Sequence, residues 1–219
     1  MKIVIQCAAT KSPDAGYMVN NDGRSVMFVA DPTMAPVREG FVYAKPDDVA
    51  EDGIGWREHL LEYNKANSTN PLGLFPAYKL YANKAYVALV TKYGAENVYI
   101  LSAGWGLIGA EFLTPMYDIT FSSARNVDVY KRRRKKDKYD DLCLLPGEGR
   151  DDLVFLGGKD YLPLFNALTR SYKGTRHVFF NSARRPQLEG CRLIRFDTST
   201  RTNWHYECVQ ALINETVGL

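Results

Sequence analysis

No two cysteines in this chain are spaced for chemistry. Cys7, Cys143, Cys191 and Cys208 stand far apart with no CxxC pair, which argues against a zinc ribbon, a redox pair or a disulfide framework and points to a reducing cytosol. Histidine is scarce, and His59, His177 and His205 share no metal-ligand spacing, so neither a metal nor another cofactor is expected. No apolar run approaches the length of a membrane span, and MKIVIQCAATK at the start reads as a strand rather than a signal peptide. A cytoplasmic protein with no membrane partner is the expectation. GxxxxGK[ST], GxGxxG and GxSxG are all missing, which removes the signatures of ATP hydrolysis, dinucleotide binding and the hydrolase nucleophile elbow.

Net charge is also small, at +3 over 219 residues. Its distribution says more than its total. Residues 131–138 (KRRRKKDK) hold seven bases against one acid, leaving the rest of the chain net acidic. Such a run is either a solvated, mobile surface segment, here 128–150, or an arm that tracks phosphates by releasing counterions. With 46% hydrophobic and 24% charged residues, the whole of 1–219 suits a single α/β domain.

Apolar runs rich in β-branched and aromatic residues predict buried strands at 3–5, 98–101, 152–157, 176–180 and 193–196. Helical spacing of apolar positions predicts helices over 56–66, 76–93, 159–172 and 203–216, the last capped at Thr202 or Asn203. Alternation of the two predicts a mostly parallel central sheet with helices on both faces. Residues 12–70 read as an insertion, with SVMFVA and GFVYAK forming a β-hairpin about a turn-rich segment. In parallel sheets ligands sit outside the carboxyl ends of the strands. There lie CAATK, SAGWG, GGKDY and NSARRP, which would converge on one rim.

The stretch 98–120 (VYILSAGWGLIGAEFLTPMYDIT) reads as a buried strand running into a loop with Gly104, Gly106, Trp105, Tyr117 and Asp118. Asp118 is either a turn residue bonding its own backbone or a carboxylate able to stabilise an oxocarbenium-like sugar. Glu111 is a second acid in the same loop. GGKDY, between a strand and a helix start, is a glycine turn or an anion-holding place. In NSARRP, Asn181 could read a base edge and Arg184 and Arg185 could clamp phosphate.

CAATK, YKLYANKAY, YILSAGWGLIGAEFLTPMYDIT, LGGKDYLPL and FNSARRPQLEG, in that order, resemble a bacterial family of unknown-function domains related to YaaA. The matching positions are Cys7 and Lys11, Leu80 and Tyr81, Leu101 to Leu107, and Pro115, Tyr117 and Asp118; Met116, between Pro115 and Tyr117, departs from the pattern. The likeness covers most of the chain outside 12–70 and the basic run.

The resemblance implies a nucleic-acid substrate, because some such domains look like phage-defence DNA glycosylases that remove hypermodified bases. It implies a flipped nucleotide in double-stranded DNA, carrying for instance hydroxymethylated or glucosylated cytosine. Ser102, Trp105, Tyr117 and Asn181 would hold the base. Lys159, Arg184, Arg185, Lys131, Arg132, Arg133 and Arg134 would hold the backbone. Asp118 and Lys11 would be catalytic, leaving an abasic site, and Lys11 or Lys159 acting as a Schiff-base nucleophile would add lyase activity. Two alternatives are a tRNA base-exchange enzyme and a non-catalytic DNA-binding stress protein.

Overall fold

The structure, a computed structural model, describes residues 1–66 and 69–219. The chain opens with β1 (Lys2–Gln6) and a small sheet made of β2 (Met18–Val19), β3 (Ser25–Val29) and β4 (Phe41–Ala44). Helix α1 (Trp56–Ala66), strand β5 (Phe75–Pro76) and helices α2 (Ala77–Leu80) and α3 (Ala85–Tyr93) follow. Next come β6 (Val98–Ser102), β7 (Gly106–Gly109), β8 (Leu113–Thr114), β9 (Tyr117–Asp118) and β10 (Leu142–Cys143). The last part alternates: β11 (Leu153–Leu156), α4 (Leu162–Thr169), β12 (Arg176–Phe180), β13 (Cys191–Arg195) and α5 (Trp204–Ile213).

Seven strands form the central sheet in the order β10-β7-β6-β1-β11-β12-β13. Five of them, from β6 to β13 in that order, run parallel; β7 is antiparallel to β6, and β10 follows the direction of β7. Ile3, Val4 and Ile5 are all fully buried, as are Leu153 to Leu156. Successive strand residues point to opposite faces, so both faces of the middle of the sheet are covered. Each of these side chains contributes about 1.5–3 kcal/mol of burial. Helix α3 packs against α5 and β6, and α5 also reaches β11. Among the described residues no helix is long and apolar enough to cross a membrane.

Two local expectations differ from what the chain does. SVMFVA and GFVYAK are not a hairpin: β3 and β4 pair in parallel, Ser25 opposite Phe41, and β9 joins β3 on its other side. The continuous helix over 76–93 breaks at Tyr81, whose backbone is extended (φ −93°, ψ 133°). The reason is tertiary. Ser12 N donates to Leu80 O (2.8 Å) and Ala82 N to Thr10 O (3.3 Å), so the break braces the loop after β1. Within 128–150, Leu142–Cys143 form β10 at the edge of the sheet and Arg133 is buried.

Candidate functional site

From β1 the chain crosses to β6 on one side of the sheet, whereas from β11 it crosses to β12 on the other. Adjacent strands with connections leaving in opposite directions open a crevice at their carboxyl ends. A cleft of about 580 Å³ lies there, lined by Gln6 to Thr10 after β1 and by Gly158, Asp160 and Tyr161 after β11. Asn83, Thr120, Ser122, Asn203 and Tyr206 complete its polar wall. Gln6 Oε1 accepts from Gly158 N at 2.6 Å and ties the two strand ends together.

Asn203 precedes α5 with a left-handed backbone (φ 60°), and its side chain makes no capping bond. A non-glycine residue there is strained, though asparagine tolerates the region best. A second lobe of about 480 Å³ shares Gln6, Gly158, Asp160 and Asn203 with the first and adds Lys159, Asn181, Ser182 and Arg201. Asn181 Nδ2 donates to Thr200 O at 3.2 Å within it.

SAGWG is a buttress rather than a binding loop. Residues 103–105 turn the β6–β7 hairpin, with Ser102 opposite Gly106. Gly106 has φ +90°, and a Cβ there would lie 2.3 Å from Leu142 O, so only glycine fits. The carbonyls of Ala103, Gly104 and Trp105 are held by two buried guanidinium groups: Arg133 on Ala103, Arg57 on the other two. Asp47 neutralises Arg57, and Asp141 neutralises Arg133 in a bidentate pair (2.8 and 2.5 Å). Gly104 N and Trp105 N donate to Ser102 Oγ, which donates to Tyr117 OH at 2.9 Å. Almost every polar atom of the turn is thus used internally.

Trp105 is fully buried and Tyr117 nearly so, which removes both as platforms for stacking a base. Burial is the physical reason: Trp105 packs edge-on against Phe28, and Tyr117 against Trp105. Ser102, equally buried, positions Tyr117. Tyr117 OH also shares a hydrogen bond with Tyr81 OH (2.9 Å), and Cys7 Sγ one with Tyr161 OH (3.2 Å). Burial pushes the phenols of Tyr81, Tyr86, Tyr117 and Tyr161 well up, so they stay neutral and act as hydrogen-bonding groups.

Lys11 Nζ sits 4.1 Å from the centre of the Tyr117 ring. Burial lowers its pKa against the opposing pull of Cys7 and Asp118. Its neighbour Thr10 lines the first cleft, whereas Lys11 does not. Asp118 lines neither lobe, being ion-paired with Lys131 at 2.8 Å.

The basic run divides in the same way. Lys131 pairs with Asp118 and Asp128, Arg133 is buried on Asp141, and Arg132 donates to Val127 O and Ala124 O. These three brace the fold. Arg134, Lys135 and Lys138 are exposed and, with Lys45 and Arg132, line a groove of about 920 Å³. Lys159 borders the second lobe; Arg184 and Arg185 are exposed on the loop after β12 and line none of these spaces.

One carboxylate belongs to all three spaces. Asp160 lines the first cleft, the second lobe and the basic groove, and its Oδ1 lies 2.8 Å from Lys135 Nζ. It stands within GGKDY, just beyond the end of β11. Strand-end position, rather than a loop's crowding with aromatics, is the signal that points to it. Gln6, Asn83 and Asn203 were equally silent as sequence. Among the described residues no group of three or more His, Cys, Asp and Glu side chains could hold a metal ion. No protein-family model, no curated protein and no solved structure matches the chain.

Proposed function

We propose that the protein is a DNA glycosylase that excises a modified nucleobase from a nucleotide flipped out of duplex DNA. The observation that carries this reading is the place of Asp160, at the junction of an amide-lined cleft and a basic groove. A flipped nucleotide needs that combination: donors and acceptors for the base edge, cations for the flanking phosphates, and a carboxylate beside the sugar that joins them. Gln6, Asn83 and Asn203 supply amides, and Asn181 borders the adjoining lobe. Arg134, Lys135 and Lys138 supply the cations. The likeness to YaaA-related domains favours the same substrate class.

β6 lies beside β1 and β12 beside β11 on opposite sides of that central pair, an arrangement that supports reading the carboxyl ends of β1 and β11 as a switch point for ligands. In the reaction the N-glycosidic bond breaks with its electron pair leaving on the base. Asp160 stabilises the positive charge that grows at C1′ and takes a proton from the attacking water. Water oxygen bonds to C1′, the departing base takes up a proton from solvent while Asp160 returns the one it accepted, and an abasic sugar remains in the strand. Lys135 Nζ, 2.8 Å from Asp160 Oδ1, holds the carboxylate in place. The chemistry asks for no metal or cofactor.

Mass spectrometry of small molecules released from unmodified, hydroxymethylated and glucosylated phage DNA tests this reading. Release of one free base by the wild type, and none by Asp160→Asn, supports it. No released base from any of the three DNAs overturns it.

A further inference from the structure

Residues 31–40 (DPTMAPVREG) form a projecting turn whose tip is apolar. Val37 is fully exposed and Met34 more than half exposed. Isolated apolar side chains on a surface are ordinary, but these have company. Val129, also more than half exposed, belongs to the neighbouring 3₁₀ turn Val129–Lys131, which is joined to the first where Asp31 N donates to Tyr130 O at 2.9 Å. Met34 and Val129 both line the rim of the basic groove.

The turn is also held in shape. Asp31 Oδ1 accepts from Thr33 N and Thr33 Oγ1 (3.2 and 2.6 Å), while Met34 N and Ala35 N donate back to Asp31 O and Pro32 O, each at 3.2 Å. Pro32 and Pro36 fix two further φ angles. Arg38 lies over the Phe41 ring at 3.8 Å, which places a cation at the foot of the tip. The groove that Met34 and Val129 line carries six cations against four carboxylates, so the apolar tip stands beside a net basic surface. It suits a duplex, whose phosphates meet the cations and whose base stack accepts the tip.

We infer that this tip is a wedge that enters double-stranded DNA at the base step next to the extruded nucleotide. The inference rests on the function proposed above and names how that site obtains its substrate. Unstacking a step costs a few kcal/mol, and apolar side chains inserted between bases offset that cost.

The test uses a short DNA duplex carrying 2-aminopurine, whose fluorescence rises on unstacking, and the matching single strand. Wild-type protein is expected to bind the duplex with a rise in fluorescence. The double variant Met34→Ser/Val37→Ser, altered only at exposed positions, is expected to lose that rise and about tenfold in duplex affinity, while binding the single strand as before. The variant Met34→Leu/Val37→Leu, which keeps the tip apolar, is expected to retain the rise. If the double variant keeps the fluorescence rise, or loses both forms of DNA equally, the wedge is overturned while the glycosylase reading stands. If wild-type protein binds neither form of DNA, the function proposed above is overturned and the wedge falls with it.

Discussion

Lys131 Nζ stands 2.8 Å from Asp118 Oδ2 and 2.9 Å from Asp128 Oδ2, so one base of the KRRRKKDK run is consumed within the fold. Burial alone would lower the lysine pKa, but the two carboxylate bonds outweigh it and hold the group above the ordinary lysine range. The pair is partly exposed and worth about 0–1 kcal/mol. Its role is to seat β9 beside the 3₁₀ turn.

Asp118 and Asp160 can therefore be ranked by experiment. Asp118→Asn should leave base release within about threefold of wild type, whereas Asp160→Asn should lower it by about 10²-fold or more, the range for loss of a general base. Time courses of released base on one modified DNA provide the measurement. The reverse ranking would return the chemistry to the YD pair.

The clamp on SAGWG predicts a large stability effect well away from the chemistry. Arg133→Met leaves the Asp141 carboxylate, itself almost fully buried, without its partner and should cost about 3–5 kcal/mol. Adding Asp141→Leu should recover much of that loss, because two apolar groups need no counter-charge. Urea denaturation of the single and double variants measures both. A single-variant loss below about 1 kcal/mol would mean that Asp141 is satisfied by another group.

His205 gives the fold a pH dependence. Its ring is buried, Nε2 has no partner, and burial lowers its pKa from 6.5 to about 4. Between those values the unfolded chain binds a proton that the folded chain refuses, so stability is complete above about pH 6.5 and falls toward about pH 4, by up to about 3 kcal/mol. His205→Phe should flatten that part of the curve, as read from urea midpoints across the range. An unchanged slope would assign the loss to other groups.

Local pattern foretold the middle of the sheet well. The runs at β1, β6, β11 and β12 are apolar on both faces, and only a covered strand asks for that. Helix α1 also spans the residues its spacing indicates. What depended on distant partners was hidden. The parallel pairing of β3 with β4 is set by where the rest of the chain places their ends, and the break at Tyr81 by hydrogen bonds from Thr10 and Ser12. Trp105 and Tyr117 looked like a ligand's platform because composition cannot tell an aromatic that faces a cleft from one that fills a core. Asp160 was visible as a residue and silent as a role, since its place at the meeting of three spaces exists only after β1, β11 and the 131–138 run have come together.

That division of the basic run makes a last, sharp expectation. Arg134 and Lys138 are exposed on the groove, while Lys131 is held by two carboxylates and Arg132 by two backbone carbonyls. A cation already spent inside the fold releases few counterions on binding. Arg134→Gln/Lys138→Gln should therefore weaken DNA binding and flatten the slope of log K against log salt by about 2, near 0.9 for each phosphate no longer neutralised. Lys131→Gln should leave the slope almost unchanged and instead lower the unfolding midpoint slightly. Fluorescence anisotropy across a salt series separates the two cases. Equal flattening by both would mean that the ion pairs of Lys131 open when DNA arrives, and that the whole run, rather than its exposed half, follows the backbone.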